Sequence, residues 1–509
     1  MKKIHIILSV LIMVLVACAD QLNQQPISSI TQDAFYKTTQ DFQQAVNGIY
    51  NALGANPQTQ NGYAVRRFDL GETRSDNVYS PGTGVRDWNP INNFSKTIST
   101  NSYVQEAWNS NYLGIYRANI VLDKLNPTAV PDSATRTHLE GEAKFLRAFF
   151  YFDLVRWFGK VPLITSALTP TETLQVPQSP VADTYTQIIA DFNDAIVKLP
   201  TTYAAADVGR ATSLAAKAML GLVYLTRTGA TYGIDGPGLG TNEYAQAIAM
   251  FNDVINSTKY SMVSPYANIF SYTNENNPEI IFDIQAIGGS SGDVGVGARF
   301  PTEMVDALYA AAQKVTFAGG VDSDSPKSPS ADMISSFESG DKRLSTSYLA
   351  SFVSAVGIPI TTGLYIKFWD ASKKGADRFN WPINYPVLRY TDVLMMKAEA
   401  ILRGGVGGTQ ADVDAIVNSV RSRAGLSNKT NVTLAQLITE RRHEFMAEGL
   451  RWHDLVRNGM VVTTMNAWKA VGDPQGKIGP ITENDIIYPV PYTQMIVQPG
   501  LYVQNPGYN

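Results

Sequence analysis

Apolar positions recur every three or four residues over much of the chain and mark a series of helices. The first is predicted from a cap at Asp33 to about Leu53, with Phe42, Val46, Ile49 and Leu53 on one side. Over 103–125, Trp108, Tyr112, Ile115, Asn119 and Leu122 share a face. Over 137–158 there are two stripes. Leu139, Ala143, Leu146, Phe150, Leu154 and Trp157 form one; Phe145, Phe149 and Phe152 form the other. A helix that is apolar on two sides is packed between neighbours. Gly159 and Pro162 stop it. Helices follow at 181–199, at 212–226 and at 244–257. In the second of these, Ala215, Ala216, Ala218 and Gly221 let a neighbour approach closely.

The pattern then changes. Residues 280–287, IIFDIQAI, are β-like. From 288 to 385 glycine, serine and proline interrupt every period, with short helical hints at 302–312 and 331–337 and a short strand at 365–369. Helices return at 391–403, 411–424 and 434–456. The tail from 481 to 509 is predicted to be extended, because Pro489, Pro491, Pro499 and Pro506 oppose helix. Residues 54–100 form a long stretch rich in Gly, Asn, Asp and Pro, and loops of that length are usually functional or disordered.

Serial helices with short or moderate connections predict a mainly α fold. Its scaffold is an α-solenoid of tetratricopeptide-like helical pairs, irregularly spaced, carrying a loop-rich inserted lobe and a few short strands. At 509 residues the chain exceeds the ~250–300 at which a single core stops growing, which favours two lobes or an extended repeat. The divisions are 33–285 for the first helical region, 286–389 for the inserted lobe and 390–509 for the last helices and tail.

Residues 1–17 read as an export leader. Lys2 and Lys3 precede an apolar run over 4–16 that is shorter than the ~20 residues of a membrane span. Cys18 is the single cysteine of the chain, and a disulfide framework needs an even set. The ending Leu15-Val16-Ala17-Cys18 resembles a bacterial lipoprotein box, which implies cleavage before Cys18 and acylation there. Residues 18–32 become a polar tether, and acyl burial worth ~0.8 kcal/mol per CH₂ anchors the protein once there is more than one chain.

Net charge is -4, and no polybasic run points to nucleic acid. Catalytic patterns fail in detail. His443-Glu444 opens a zinc-protease signature, but Ala447 stands where the second ligand belongs. Residues 288–292, GGSSG, have the spacing of a nucleophile elbow without the following helix. Asp322 and Asp324 suggest a calcium loop, but Lys327 and Met333 replace its glycine and glutamate. Gly236, Gly238 and Gly240 lack the strand that precedes a phosphate cradle. Carboxylate pairs for glycoside hydrolysis have no diagnostic spacing. The sequence therefore predicts no catalytic residue, no metal site and no cofactor beyond the N-terminal lipid, and it is silent on bound calcium.

An ordered set of segments resembles the SusD/RagB family of outer-membrane nutrient-binding lipoproteins. The set comprises CADQLNQQPISSITQDAFYKTTQDFQQAVNGIY, GEAKFLRAFFYFDLVRWFGKVPLI, GRATSLAAKAMLGLVYL, YPVLRYTDVLMMKAEAILRGG, VNSVRSRAGL, ERRHEFMAEGLRWHDLVRNG and IIYPVPYTQMIVQPGLYVQNPGY. The resemblance implies a surface-exposed protein held in the outer membrane through acylated Cys18. It also implies capture of an oligosaccharide or polysaccharide for a SusC-like TonB-dependent porin. The alternatives are a peptide cargo on the same scaffold, or an extracellular glycoside hydrolase. The family's ligand contacts lie in variable loops, so no residue carries over by motif.

Sugar rings lie on aromatic planes, with amide, carboxylate and guanidinium groups reading their hydroxyl edges. The expected ligand residues are Trp88 with Arg86, Asn89 and Asn92 in the first long loop, and Phe300, Trp369, Phe379 and Trp381 in the inserted lobe. Trp88 and Trp381 rank first because polar or proline residues flank them. The pairs Arg441–Glu444, Glu448–Arg451 and Asp454–Arg457 are expected to meet on one helix face, partly buried, and to fix geometry.

Overall fold

The computed structural model describes residues 35–54, 62–80, 87–290, 293, 296–317 and 327–508. Cys18, the leader and tether, Asp33, Arg86, Ser291, Asp322 and Asp324 lie outside them. The long helices are α1 (Thr39–Asn51), α2 (Ser102–Lys124), α3 (Ser133–Phe158), α4 (Val181–Lys198), α5 (Ser213–Arg227) and α6 (Tyr244–Asn256). After the inserted lobe come α7 (Tyr390–Leu402), α8 (Gln410–Ala424), α9 (Leu434–Glu444), α10 (Arg451–Arg457), α11 (Val461–Gly472) and α12 (Tyr492–Val497).

Each helix from α1 to α8 packs on the next in sequence, so the scaffold grows by stacking neighbours, as in a tetratricopeptide-like solenoid. The two stripes of α3 explain its central place: it packs on both α2 and α4, and every residue from Phe145 to Phe158 is buried. Caps set the boundaries. Thr38 closes a capping box with Asp41 at the start of α1, Asp132 accepts from the Thr135 amide at α3, and Gly425 ends α8 in the left-handed conformation.

Strands β1 (Ile280–Ile284) and β2 (Tyr385–Arg389) pair antiparallel, with Ile284 opposite Tyr385 and Ile280 opposite Arg389. The chain between them therefore leaves the scaffold and returns to it at one place. That segment holds short helices and two-stranded ladders, among them Leu364–Tyr365 against Tyr348–Leu349.

Three expectations are corrected. The first long irregular stretch contains helical turns at Tyr63–Arg67, Phe68–Glu72 and Trp88–Asn92. The tail is not wholly extended, because α12 starts immediately after Pro491, where a missing N–H costs nothing. The helix expected over 434–456 breaks between α9 and α10. Ala447 and Gly449 have φ of 67° and 70°, and the buried Glu72 carboxylate accepts from both their amides at 2.9 and 3.1 Å. A side chain on Gly449 would meet the Arg67 carbonyl at 2.5 Å, so this turn needs glycine for both conformation and space.

The break re-pairs the charges. Asp454 and Arg457 meet as expected, at 2.7 Å, but Arg441 reaches Asp392 and Asp454, Glu448 takes Lys367 and Arg389, and Arg451 forks onto Asp76 at 2.8 Å twice. All of these groups are buried. Burial is the strongest influence on Glu444 and Asp76 and opposes ionisation. The surrounding cations outweigh it: Arg423, Arg389 and Arg343 at Glu444, Arg442 and Arg451 at Asp76. Both pKa values fall to about 2. A carboxylate depressed in the folded state contributes stability above its unfolded pKa and loses it as the pH falls through the folded value. We expect urea midpoints that decline from about pH 4.5 towards pH 2. A flat acid profile would contradict the pairing.

Candidate functional site

The expected ligand residues divide by burial. Trp88 opens its short helix with its ring 5% exposed and the Lys327 ammonium 4.6 Å from the ring centroid. Lys327 forms ion pairs with Asp69 at 2.8 Å and Glu303 at 3.0 Å, so Trp88 roofs a buried charge chain. Burial is the largest influence on both acids. It holds Asp69 up at about 6, whereas Glu303, which has Arg299 besides Lys327, drops to about 2. Asn92 donates to the Thr73 and Val78 carbonyls at 2.8 and 2.9 Å and accepts from the Ser80 amide at 3.0 Å. Asn89 donates to the Ser80 carbonyl at 2.9 Å. These amides hold the backbone of 73–80 in place. Phe300 is buried edge-on against Phe368 and Tyr385, 5.0 and 5.1 Å away.

Trp381 is fully buried and bridges Ala298 through two backbone hydrogen bonds of 2.8 and 3.0 Å. Neither ring ranked first therefore presents an open face. Flanking polarity misled here because, in an irregular lobe, a side chain's environment comes from residues far away in sequence. Trp381 packs on Trp369 at 4.8 Å and Phe317 at 6.1 Å.

What the structure does present is a partly exposed aromatic row resting on Trp381. Trp369 lies 6.0 Å from Tyr309, which stands edge-on to Phe352 at 5.2 Å. Phe379 is flanked by two guanidiniums, Arg299 at 5.2 Å and Arg378 at 4.7 Å from its ring centroid, and the Lys374 ammonium is 5.9 Å from the Phe317 ring. All five of these rings are half-buried. Among the described residues the indole N–H groups of Trp369 and Trp381 have no acceptor. Asn380, buried beside the row, donates to the Ser290 and Asp293 carbonyls at 3.1 and 3.0 Å. The rings offer apolar faces, and Arg299 beside Phe379 is itself ion-paired with Glu303.

Of the expected ligand residues, Trp369 and Phe379 are among these half-buried rings; Tyr309, Phe317, Phe352, Arg299 and Arg378 were not singled out from the sequence. Arg299 and Arg378 adjoin residues already singled out, which is a usable signal. Tyr309 and Phe352 had none, because only folding brings them to Trp369.

Both histidines near the zinc-like motif are buried. His443 stacks on Phe337 at 4.2 Å and shares a 2.9 Å hydrogen bond with Ser336, and burial, then Arg343 and Arg442, lower its pKa to about 3. His453 packs on Trp157, and burial pushes its pKa well down. Among the described residues no group of three or more His, Cys, Asp or Glu is placed to hold a metal ion, and no helix is long and apolar enough to cross a membrane.

Comparison with known proteins agrees with this architecture. The SusD-like family described as "Starch-binding associating with outer membrane" matches residues 22–225, and the SusD/RagB family, described as "SusD family", matches residues 354–508. A SusD-like protein of Bacteroides ovatus is 28% identical over 478 residues, covering 90% of this chain and 82% of the relative. SusD-like protein P38 of Formosa agariphila is 27% identical over 541 residues, 98% of each chain. Among solved structures, a laminarin binding SusD-like protein superposes with a TM-score of 0.74 at 26% identity, over 93% of this chain and all of its own. Surface glycan-binding protein A of Bacteroides thetaiotaomicron, in complex with laminarihexaose, gives 0.76 at 22% identity over 92% of this chain and all of its own, a likeness of fold. With matches at both ends in the expected order and the same helical scaffold between them, the chain belongs to the SusD family.

Proposed function

We propose that this protein is a surface lipoprotein that captures an oligosaccharide on the aromatic row of its inserted lobe, without cleaving it. In this reading it passes the cargo to a SusC-like TonB-dependent porin, and Cys18 carries the lipid that holds it at the outer membrane. The observation that carries the binding reading is the half-buried set Tyr309, Trp369, Phe352, Phe317 and Phe379, bordered by Arg299 and Arg378, in a chain of a glycan-binding family. Trp369 and Phe379 remain ligand residues in this reading. Trp381 supports Trp369 from beneath, and Trp88, Asn89, Asn92 and Phe300 are buried structural residues in it.

Burying ~50–80 Å² of ring at ~25 cal/mol/Å² gives on the order of 1–2 kcal/mol per aromatic. Two or three platforms then give an affinity modest enough for release. Calorimetry against a panel headed by laminarin oligosaccharides, the ligand class in the name of the 26%-identical relative, tests this. We expect Phe379→Ala and Trp369→Ala each to weaken binding about 5–30-fold. Binding of peptides alone would replace the sugar reading, and sugar release from any panel member would replace the non-catalytic one. Purification from outer membranes with a TonB-dependent porin, and an acylated Cys18 by mass spectrometry, test partner and anchor.

A further inference from the structure

A second concave surface lies on the scaffold, away from the inserted lobe. It is a cavity of about 420 Å³ between α2, the segment after α3 and the C-terminal tail. Trp108, Tyr112 and Tyr116 recur every four residues along one face of α2 and form its floor, and Tyr502 closes it from the tail. Among the described residues no charged side chain lines it. The floor is open at one end, where Leu113 is 43% and Tyr116 46% exposed. Its one buried amide is already committed: Asn119 donates to the Ile164 and Ser166 carbonyls and accepts from Arg147. A sugar would find ring faces here and few free polar partners. An uncharged peptide with apolar side chains fits better.

Such a peptide is attached nearby. The described chain begins at Phe35, and Tyr36 packs with Phe42 of α1, which lies against α2. Arg117, next to Tyr116, donates to the Gly48 carbonyl of α1, which sets α1 beside the open end of the cavity. Residues 21–32, QLNQQPISSITQ, contain no charged residue, and their apolar members are Leu22, Pro26, Ile27 and Ile30.

We infer that the segment preceding Phe35 docks through Pro26, Ile27 and Ile30 into the aromatic groove formed by Trp108, Tyr112, Tyr116 and Tyr502 of the same chain. Undocked, residues 19–34 reach ~55 Å from the body at ~3.3–3.6 Å per residue. Docked, the free leash is residues 19–25, ~25 Å. The device shortens the anchor and turns the α2 and tail face towards the lipid. Its bearing on the membrane rests on acylation of Cys18; the docking itself does not.

Hydrogen exchange by mass spectrometry on the full chain from Cys18, acylated and as Cys18→Ser, separates the two. We expect amides of 27–32 to exchange at least tenfold more slowly than in a synthetic 19–34 peptide, in both forms. Leu113→Ser with Tyr116→Ser, both at exposed positions, should abolish that protection while leaving the thermal midpoint and glycan affinity unchanged. Peptide-like exchange in the unmodified groove, protection that survives the double substitution, or protection that grows with protein concentration and so comes from a second copy, would each overturn the inference. An unacylated native protein would remove the anchoring reading alone.

Discussion

Replacing Arg389 by methionine is expected to lower the unfolding free energy by about 3–5 kcal/mol, the usual cost of removing one member of a buried ionic cluster. Arg389 is 1% exposed. Its guanidinium forks onto Glu448 at 2.8 and 2.9 Å and its third nitrogen reaches Glu279 at 2.6 Å and Glu444 at 3.1 Å. The side chain stands at the end of β2, and its partners come from the base of β1, the last residue of α9 and the turn after it. Methionine fills similar volume, so the loss reports three carboxylates left with fewer cations in a dry site. Urea denaturation at pH 7 measures it. A double substitution, Arg389→Met with Glu448→Leu, should cost less than the sum of the two single changes, because they share one interaction. Additive losses would show that the fork contributes little.

The second large effect is at Trp381. Truncation to alanine is expected to cost about 3–5 kcal/mol, in the range for a fully buried large aromatic. Trp381→Phe should cost much less, since the indole N–H has no acceptor among the described residues and only part of the ring volume is removed. The functional consequence is indirect. Trp369 rests on Trp381 with ring centroids 4.8 Å apart, so the cavity left by alanine frees the outer ring to sink. We expect Trp381→Ala to lose stability and affinity together, and Phe379→Ala to lose affinity with its thermal midpoint within a few degrees of the unmodified protein. An unaltered midpoint in Trp381→Ala would put that ring at the surface.

These two sites show how much was legible beforehand. The stripes of α3 and the spacing of Trp108, Tyr112 and Ile115 in α2 were readable because a helix buries residues close in sequence, and periodicity records that directly. The start of β1 and the end of the periodic region before it were readable for the same reason. The ion pairs were readable as residues but not as partners. Arg441, Glu448 and Arg451 have the spacing of one continuous helix, and the turn at Ala447–Gly449 exists because Glu72, hundreds of residues earlier, supplies a carboxylate for its amides. Similarly, Trp88 and Trp381 ranked first as ligand residues on their neighbours in sequence and are covered by neighbours in space.

By itself, then, the sequence determined the helical solenoid and the stock of aromatic and charged groups available for a ligand. Those properties follow from local periodicity and turn chemistry, which each segment carries with it. The tertiary structure alone decided which rings face outward, which carboxylate meets which guanidinium, and where a nominally continuous helix turns. Each of those outcomes depends on burial, and burial is conferred by packing between segments whose separation along the chain leaves no local trace.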